Sequence, residues 1–271
     1  MMISTASAQT VGDLLREWRQ RRRLSQLDLA LEAEISTKHL SFVESGRAQP
    51  SREMVLHLAE RLEVPLRARN VLLVAAGFAP VFRERQLSDP ALASARQAVD
   101  LVLKGHEPYP ALAVDRHWTM VAANAAVAML IGGADAALLE PPVNVLRLSL
   151  HPKGLSSRIT NLAEWRAHLL ERLRRQVEVS ADPVLAKLHE ELRGYPVPAA
   201  ARVRKPTPQS GFADVVVPVQ FATDAGTLSF FSTTTVFGTP VDVTLSELAL
   251  EAFFPADAAT AEALRGLAAS A

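Results

Sequence analysis

The sequence predicts an α+β protein in two parts: an all-α, five-helix N-terminal domain, then a larger domain that mixes helices with an antiparallel sheet. Three observations carry this. Between Val11 and Pro80, apolar residues recur at helical spacing and are punctuated by Ser, Pro and Gly. From Ala111 onward, short apolar runs of strand length alternate with helical stretches, and Asp224-Ala225-Gly226 is a hairpin signal between two of them. Between these regions, Phe82–Pro90 is charged and polar and ends in Ser88-Asp89-Pro90, a turn and helix-start signal. The expected boundaries are a frayed N-terminus over 1–10, a helical domain over 11–81, a linker over 82–90 and an α+β domain over 91–271.

The first helix is expected from Val11 to Arg23, with Val11, Leu14, Leu15 and Trp18 as its buried stripe. Ser25 and Ser36 each offer a hydroxyl to orphan amides just ahead of an apolar run, so two short helices begin there. Leu27, Leu31, Leu40 and Val43 are expected to face inward, Ala30 lets the helices approach, and Gly46 closes the second where a positive φ costs least. So brief a connection makes a helix-turn-helix, whose second helix fits a major groove. Pro50-Ser51 starts a fourth helix with Met54, Val55, Leu58 and Leu62 inward. Pro65 starts a fifth with Val71, Leu72 and Val74 inward, stopped by Gly77 and Pro80.

After the linker, a helix is expected over Ala91–Leu103. Ala111–Val114 and Thr119–Ala123 read as strands around the turn Asp115–Trp118, and Asn124 begins a helix through Ile131. Asn144–Leu150 fits either a strand or a short helix. Leu162–Gln176 is amphipathic, with Leu162, Trp165, Leu169, Leu170 and Leu173 apolar. Asp182-Pro183 caps a helix over Val184–Leu192, and the basic, proline-rich stretch Pro196–Pro208 is a loop. Val215–Ala222 and Leu228–Phe237 read as strands, with Pro218 suited to an edge. Val241–Leu245 begins a further strand, Leu248–Phe254 follows, and Asp257 caps a last helix ending near Ala269.

A chain of 271 residues with an apolar share of 49% can bury the cores of one large or two ordinary domains. Its 29 Lys and Arg balance 29 Asp and Glu, so overall charge does not point to nucleic acid. Locally, Arg16, Arg19, Arg21, Arg22 and Arg23 crowd one segment, which is either a solvated face or a phosphate-facing one. There is no cysteine, which excludes disulfides and thiolate metal sites and fits a reducing cytoplasm. No apolar run approaches the roughly 20 residues a membrane span needs, and Met1–Thr10 lacks a signal peptide's apolar core. A cytoplasmic protein without a membrane partner is expected. The histidines, His168 and His189 included, lack metal-ligand spacing, and neither a nucleophile elbow nor a phosphate-cradling Gly loop occurs. No metal, cofactor or enzymatic activity is therefore expected.

Ser25-Gln26, Ala30, Ile35-Ser36, Glu44-Ser45-Gly46-Arg47, Pro50-Ser51, Leu58-Ala59 and Leu62 together resemble the Cro/lambda-repressor-type (xenobiotic-response-element) helix-turn-helix family. One departure is Glu34, where members often carry Gly; a positive φ there would cost up to ~1 kcal/mol. The segment from Ala111 to Ile131 looks like the opening of a PAS-type sensor domain. Beyond Pro80 the chain resembles the MmyB-like bacterial regulators, through His39-Leu40-Ser41-Phe42, Ala75–Pro80, Pro110-Ala111, Asn124-Ala125-Ala126, His151–Leu155, Ala163–Arg166 and Phe253–Asp257. That resemblance implies a transcriptional regulator, a homodimer on a double-stranded DNA operator, whose PAS-like domain senses a small, fatty-acid-like ligand. The alternative is a protein-interaction or dimerisation module that holds no ligand.

Ser36, Thr37, Lys38 and His39 open the second helix of the motif, where side chains reach base edges, and Phe42 one turn on could meet a thymine methyl. Gln26 is placed for a phosphate, and Arg47 and Arg52 flank the helix for backbone contacts. In the bland alternative, Lys38 and His39 are merely solvated and Phe42 is core. In the larger domain Trp165, Leu169, Phe221, Phe230 and Val236 are candidate walls of an apolar pocket, and Arg147, His151 or Arg166 could meet a carboxylate. Against this, aromatics at strand and helix spacing usually make core, and arginines on helix surfaces are usually solvated.

Overall fold

Local capping chemistry starts the helices of the N-terminal unit. In the computed structural model, which describes residues 9–196, 216–223, 226–240 and 242–269, these are α1 (Val11–Arg21), α2 (Gln26–Glu32), α3 (Thr37–Glu44), α4 (Arg52–Arg61) and α5 (Leu66–Ala75). Thr10, Ser25, Ser36 and Ser51 each accept an amide of the first turn, and Asp13 and Asp28 complete capping boxes with Thr10 and Ser25. Of the N-terminus expected to fray, residues 1–8 lie outside the described residues, whereas Thr10 is fixed by its cap.

All five helices end alike. One residue turns into the left-handed region: Arg23 (φ 59°), Glu34 (54°), Gly46 (72°), Glu63 (48°) and Gly77 (84°). The next amide reaches back five positions, as in Ile35 to the Ala30 carbonyl (2.9 Å) and Val64 to the Ala59 carbonyl (2.8 Å). This is a Schellman closure, and four of the five following residues (Leu24, Ile35, Val64, Phe78) are apolar and pack on the core, as the motif favours. Glu34 therefore does occupy the strained conformation that glycine would take without penalty.

The core of this unit is built from Leu15, Leu29, Leu40, Leu58, Leu62, Leu72 and Leu73. Leu27 and Leu31, expected inward, are instead 62% and 77% exposed. Leu29, Ala30 and Ala33 carry the buried face of α2, and at 100° per residue Leu27 and Leu31 each sit 200° from Leu29. Val71 and Val74 also face outward, flanking the buried Leu72 and Leu73. Of the expected linker, residues up to Arg85 stay with this unit, as do Pro240–Val243. Asn70 holds Val81 and Phe82 through three hydrogen bonds, Arg67 pairs with Glu84, and the Val243 amide bonds the Arg83 carbonyl (2.8 Å).

The second unit comprises Gln86–Thr239 and the chain from Thr244 onward. A 3₁₀ turn (Pro90–Leu92) leads into α6 (Ala93–Gly105), β1 (Ala111–Val114), β2 (Met120–Ala123), α7 (Ala125–Ile131), α8 (Ala136–Leu139) and α9 (Val145–Leu150). Then come α10 (Leu162–Ser180), α11 (Pro183–Gly194), β3 (Val219–Thr223), β4 (Gly226–Val236), α12 (Val243–Ser246), β5 (Ala249–Pro255) and α13 (Ala258–Ala269). The five strands form one antiparallel sheet in the order β2-β1-β5-β4-β3. Asn144 settles the open choice for its segment, because its side chain accepts the Arg147 amide and caps α9. Val243–Ser246 turns helically where a strand was expected. The expected loop over 196–208 lies, from residue 197, outside the described residues, as do Val215, Asp224 and Ala225.

β1 is buried on both faces, so its alternation is invisible in the sequence. Leu112 and Val114 join the core with α7, α9 and α10, while Ala111 and Ala113 pack with Val99 and Leu103 of α6 on the other face. Asn124 does not cap α7. It is buried, its carbonyl accepting the Ala111 amide and its amide donating to the Leu103 and Tyr109 carbonyls, which pins α6 to the sheet. Pro218 immediately precedes β3, an edge strand, as its missing donor requires.

Candidate nucleic-acid interface and apolar cavity

Glu44 anchors α3. Its carboxylate is fully buried and takes two hydrogen bonds from Arg19 (2.7 and 2.9 Å) and one from Gln26 (2.8 Å), with Arg16 Nε at 3.5 Å. Arg16 also donates to the Glu44 carbonyl, and a Cβ on Gly12 would lie 2.5 Å from the Val43 carbonyl oxygen. α1 thus meets the end of α3 at backbone contact. Burial alone would push the Glu44 carboxyl up, but the Arg19 and Gln26 hydrogen bonds and the Arg19 and Arg16 charges outweigh it and hold it below its ordinary value.

This network takes in Gln26 and much of the arginine run. The Gln26 amide donates one hydrogen to Glu44, and its second has no partner among the described residues. Much of the arginine run is paired within the protein: Arg19 is buried on Glu44, Arg21 pairs with Glu17, and Arg22 donates to the Leu62 and Glu63 carbonyls (2.8 and 3.0 Å), while Arg21 and Arg23 stay exposed. A row of arginines reads as a charged face until the carboxylate and carbonyls that claim it are known.

The remaining candidates share the outer side of α3 and its flanks. Ser36 caps α3 through the His39 amide (3.1 Å), Lys38 is exposed, and Thr37, His39 and Phe42 are half-buried; Lys38 and Phe42 lie opposite the buried Leu40, Val43 and Glu44, with Thr37 and His39 flanking. Lys38 Nζ and the Arg47 guanidinium lie 5.7 and 5.9 Å from the Phe42 ring centroid. Arg47 and Arg52 are exposed, without an ion pair among the described residues.

In the second unit, α7, α9 and α10 close over the inner face of the sheet around a cavity of about 90 Å³. Trp165, Leu169 and Phe221 line it, together with Leu112, Trp118 and Met120. Phe230 is fully buried one layer behind, edge-on to Phe221 (6.3 Å between centroids), and Val236 is 61% exposed at the end of β4. The three expected head-group partners point elsewhere. Arg147 pairs bidentately with Glu191 (2.8 Å each), and His151 packs on Tyr195 (5.1 Å). Arg166 donates to the Leu192 and Arg193 carbonyls, closing the end of α11, where free carbonyls attract a cation.

The polar groups on the cavity wall are different ones: Ser149, Arg172, Ser232 and Glu251. Arg172 donates to Glu251 (3.1 and 2.5 Å) and to Thr234 (2.7 Å), and its guanidinium carbon lies 4.5 Å from the Trp118 ring centroid. Trp118 itself sits at φ 66°, with its indole N–H on Gln176 (2.7 Å). The Trp165 N–H donates to Ser149 (3.0 Å), and its ring stacks on His168, whose imidazole is held below its ordinary pKa first by burial and then by the Arg172 charge. The signal for Arg172 was its spacing: it follows Trp165 by seven and Leu169 by three, a charge inside the apolar stripe. Glu251 likewise interrupts the run Leu248–Phe254 on the face that Phe253 shares.

A helical unit presenting a capped helix, followed by an α+β unit built around an apolar cavity, defines a helix-turn-helix transcription regulator with a ligand-binding domain. Two family models match the chain: Helix-turn-helix over residues 15–68, and MmyB-like transcription regulator ligand binding domain over residues 95–267. The second covers more than half of the chain, which belongs to that family of MmyB-like transcription regulators. No curated protein matches it. Among solved structures, an RNA-binding Light-Oxygen-Voltage receptor is 14% identical with a TM-score of 0.24. That alignment covers 96% of this chain and 63% of that one, and a score so low does not bear on fold or function. Among the described residues no helix is long and apolar enough to cross a membrane, and no cluster of His, Asp or Glu could hold a metal ion.

Proposed function

We propose that the protein binds operator DNA as a homodimer through α3, and that the cavity holds a small, largely apolar molecule of fatty-acid-like build, a tail with one polar head. The observation that carries the DNA reading is the division of α3: Leu40, Val43 and Glu44 are locked inward, which leaves Lys38 and Phe42 on the opposite side, with Thr37 and His39 on the flanks of its first turn. In that role Lys38 meets guanine acceptors, Ser36 and Thr37 meet base edges, and Arg47 and Arg52 hold phosphates. The PAS-like reading of the second unit is supported by the sheet order and by helices over one face of it. Ligand occupancy then shifts operator affinity by as much as the ligand discriminates between the states with high and low DNA affinity.

The test is selection of duplexes from a random pool, followed by fluorescence anisotropy on the selected sequence. Replacing both Thr37 and Lys38 by alanine is expected to weaken binding by roughly tenfold or more, and selected half-sites are expected about 34 Å apart. Undiminished binding by the double variant overturns the assignment of α3.

A further inference from the structure

Resting on the reading of the cavity as a ligand site, we propose that it selects an apolar molecule with a neutral hydrogen-bonding head, an amide or hydroxyl, over the corresponding carboxylate.

Polarity comes first. Apart from Ser149, Arg172, Ser232 and Glu251 the lining is apolar, so a guest is apolar over most of its surface.

Charge comes second. The lining contains one cation and one anion, Arg172 and Glu251, and they neutralise each other directly. Arg172 uses three N–H bonds on Glu251 and Thr234, and one face of its guanidinium lies against Trp118. That leaves Nε and one hydrogen of Nη1 without a partner among the described residues, enough for one acceptor oxygen. Glu251 Oε1 accepts from both Arg172 and Thr234, whereas Oε2 accepts from Arg172 alone and can take one more donor. The Ser149 hydroxyl accepts from Trp165 and retains its own hydrogen, and the Ser232 hydroxyl has no hydrogen-bond partner among the described residues.

The wall therefore offers separate donor and acceptor positions and no uncompensated positive charge. An amide or hydroxyl matches both. A carboxylate has nothing to give Glu251, and it would share one guanidinium with a buried carboxylate, where like charges in a low dielectric repel strongly. Entry of an acid would require Glu251 to release Arg172 or to take up a proton.

Hexanamide and hexanoate are nearly isosteric, with about eight heavy atoms each, so they separate head-group charge from fit. Titrated into the full-length protein and followed by tryptophan fluorescence, since Trp118 and Trp165 line the cavity, hexanamide is expected to bind at least roughly tenfold tighter than hexanoate near neutral pH. Hexan-1-ol is expected to bind like the amide. Glu251→Gln, which uncovers the Arg172 charge, is expected to reverse the order. Hexanoate binding as well as or better than hexanamide to the unaltered protein overturns the head-group inference and leaves the cavity reading standing. An order unchanged in Glu251→Gln also overturns it. If none of the three probes binds, the cavity reading falls and the inference with it. The comparison on the unaltered protein decides the matter even if the variant does not fold.

Discussion

Each unit contains an arginine paired with a buried glutamate, and the two pairs behave differently because of what surrounds them. Arg19–Glu44 is enclosed: Gln26 and Arg16 supply further donors to Glu44, and Arg19 has a hydrogen bond left for the Leu24 carbonyl (2.8 Å). Arg172–Glu251 has protein on one side, with Thr234 and Trp118, and a cavity on the other. Each arginine makes three hydrogen bonds and each carboxylate accepts three, so the count does not separate the two pairs. The first is surrounded by protein and ties α1, α2 and α3 together, whereas the second has an open side from which a guest can reach its unfilled positions. A buried ion pair is weak evidence for stability in itself, because desolvation offsets the Coulomb gain. What it specifies depends on whether its remaining hydrogen-bonding capacity faces protein or a cavity.

The largest expected effect is at the enclosed pair. Glu44→Ala leaves Arg19 buried without a counter-charge and is expected to destabilise the helical unit by about 3–5 kcal/mol. Hydrogen exchange over α1 and α3 would check this and would separate that unit from the other. The pair also makes the unit acid-sensitive. The Glu44 carboxyl titrates below its ordinary value of 4.5 when folded, so the unfolded chain binds more protons there. Its contribution is complete above that ordinary value and is lost as pH falls through the depressed folded one. An unchanged exchange rate in Glu44→Ala would mean that the network is decorative.

A smaller effect is expected at the cavity. Arg172→Met leaves Glu251 with Thr234 alone, and about 2–3 kcal/mol is expected to be lost, because the Arg172 side chain is already 26% exposed. The sharper test of the comparison is the double replacement. Arg172→Met with Glu251→Leu removes charge and partner together and is expected to return to within about 1 kcal/mol of the parent. The matching double replacement at Arg19 and Glu44 is not, since it strands the Gln26 amide and the Leu24 carbonyl. Equal recovery at both sites in thermal unfolding would erase the distinction between an enclosed pair and an open one.

The same contrast explains what could be read from the sequence. Helix starts at Ser25, Ser36, Ser51, Asp182 and Asp257 were legible because capping joins residues two or three apart. The inward face of α2 was not: in seven residues carrying three leucines, several stripes fit equally well, and packing chooses Leu29. The alternating Val241–Leu245 read as a strand, but the buried Asp242 is claimed by Arg85, and helical geometry follows at once. For the cavity, Trp165, Leu169 and Phe221 followed from periodicity. The Arg172–Glu251 contact joins residues 79 apart, a distance that only the assembled sheet can close. Arginines chosen as head-group partners from charge alone, Arg147 and Arg166, had partners 44 and 26 residues away.

The smallest expected effect lies at a position where local and global demands disagree. The α2–α3 turn closes with Glu34 at φ 54°, a conformation in which any side chain beyond glycine's is strained. No side-chain hydrogen bond of Glu34 accompanies that strain among the described residues, and the Ile35 amide already makes the closing bond to Ala30 (2.9 Å). Glu34→Gly therefore removes strain without removing a contact. Against this, glycine widens the unfolded ensemble, so the net stabilisation is expected to be up to ~1 kcal/mol. The check is slower hydrogen exchange in α2 and α3 with unaltered exchange in the α+β unit. A loss of stability would instead show that the Glu34 side chain contributes to the turn. An unchanged operator affinity would confirm that the turn sets how firmly α3 is held and not what it reads.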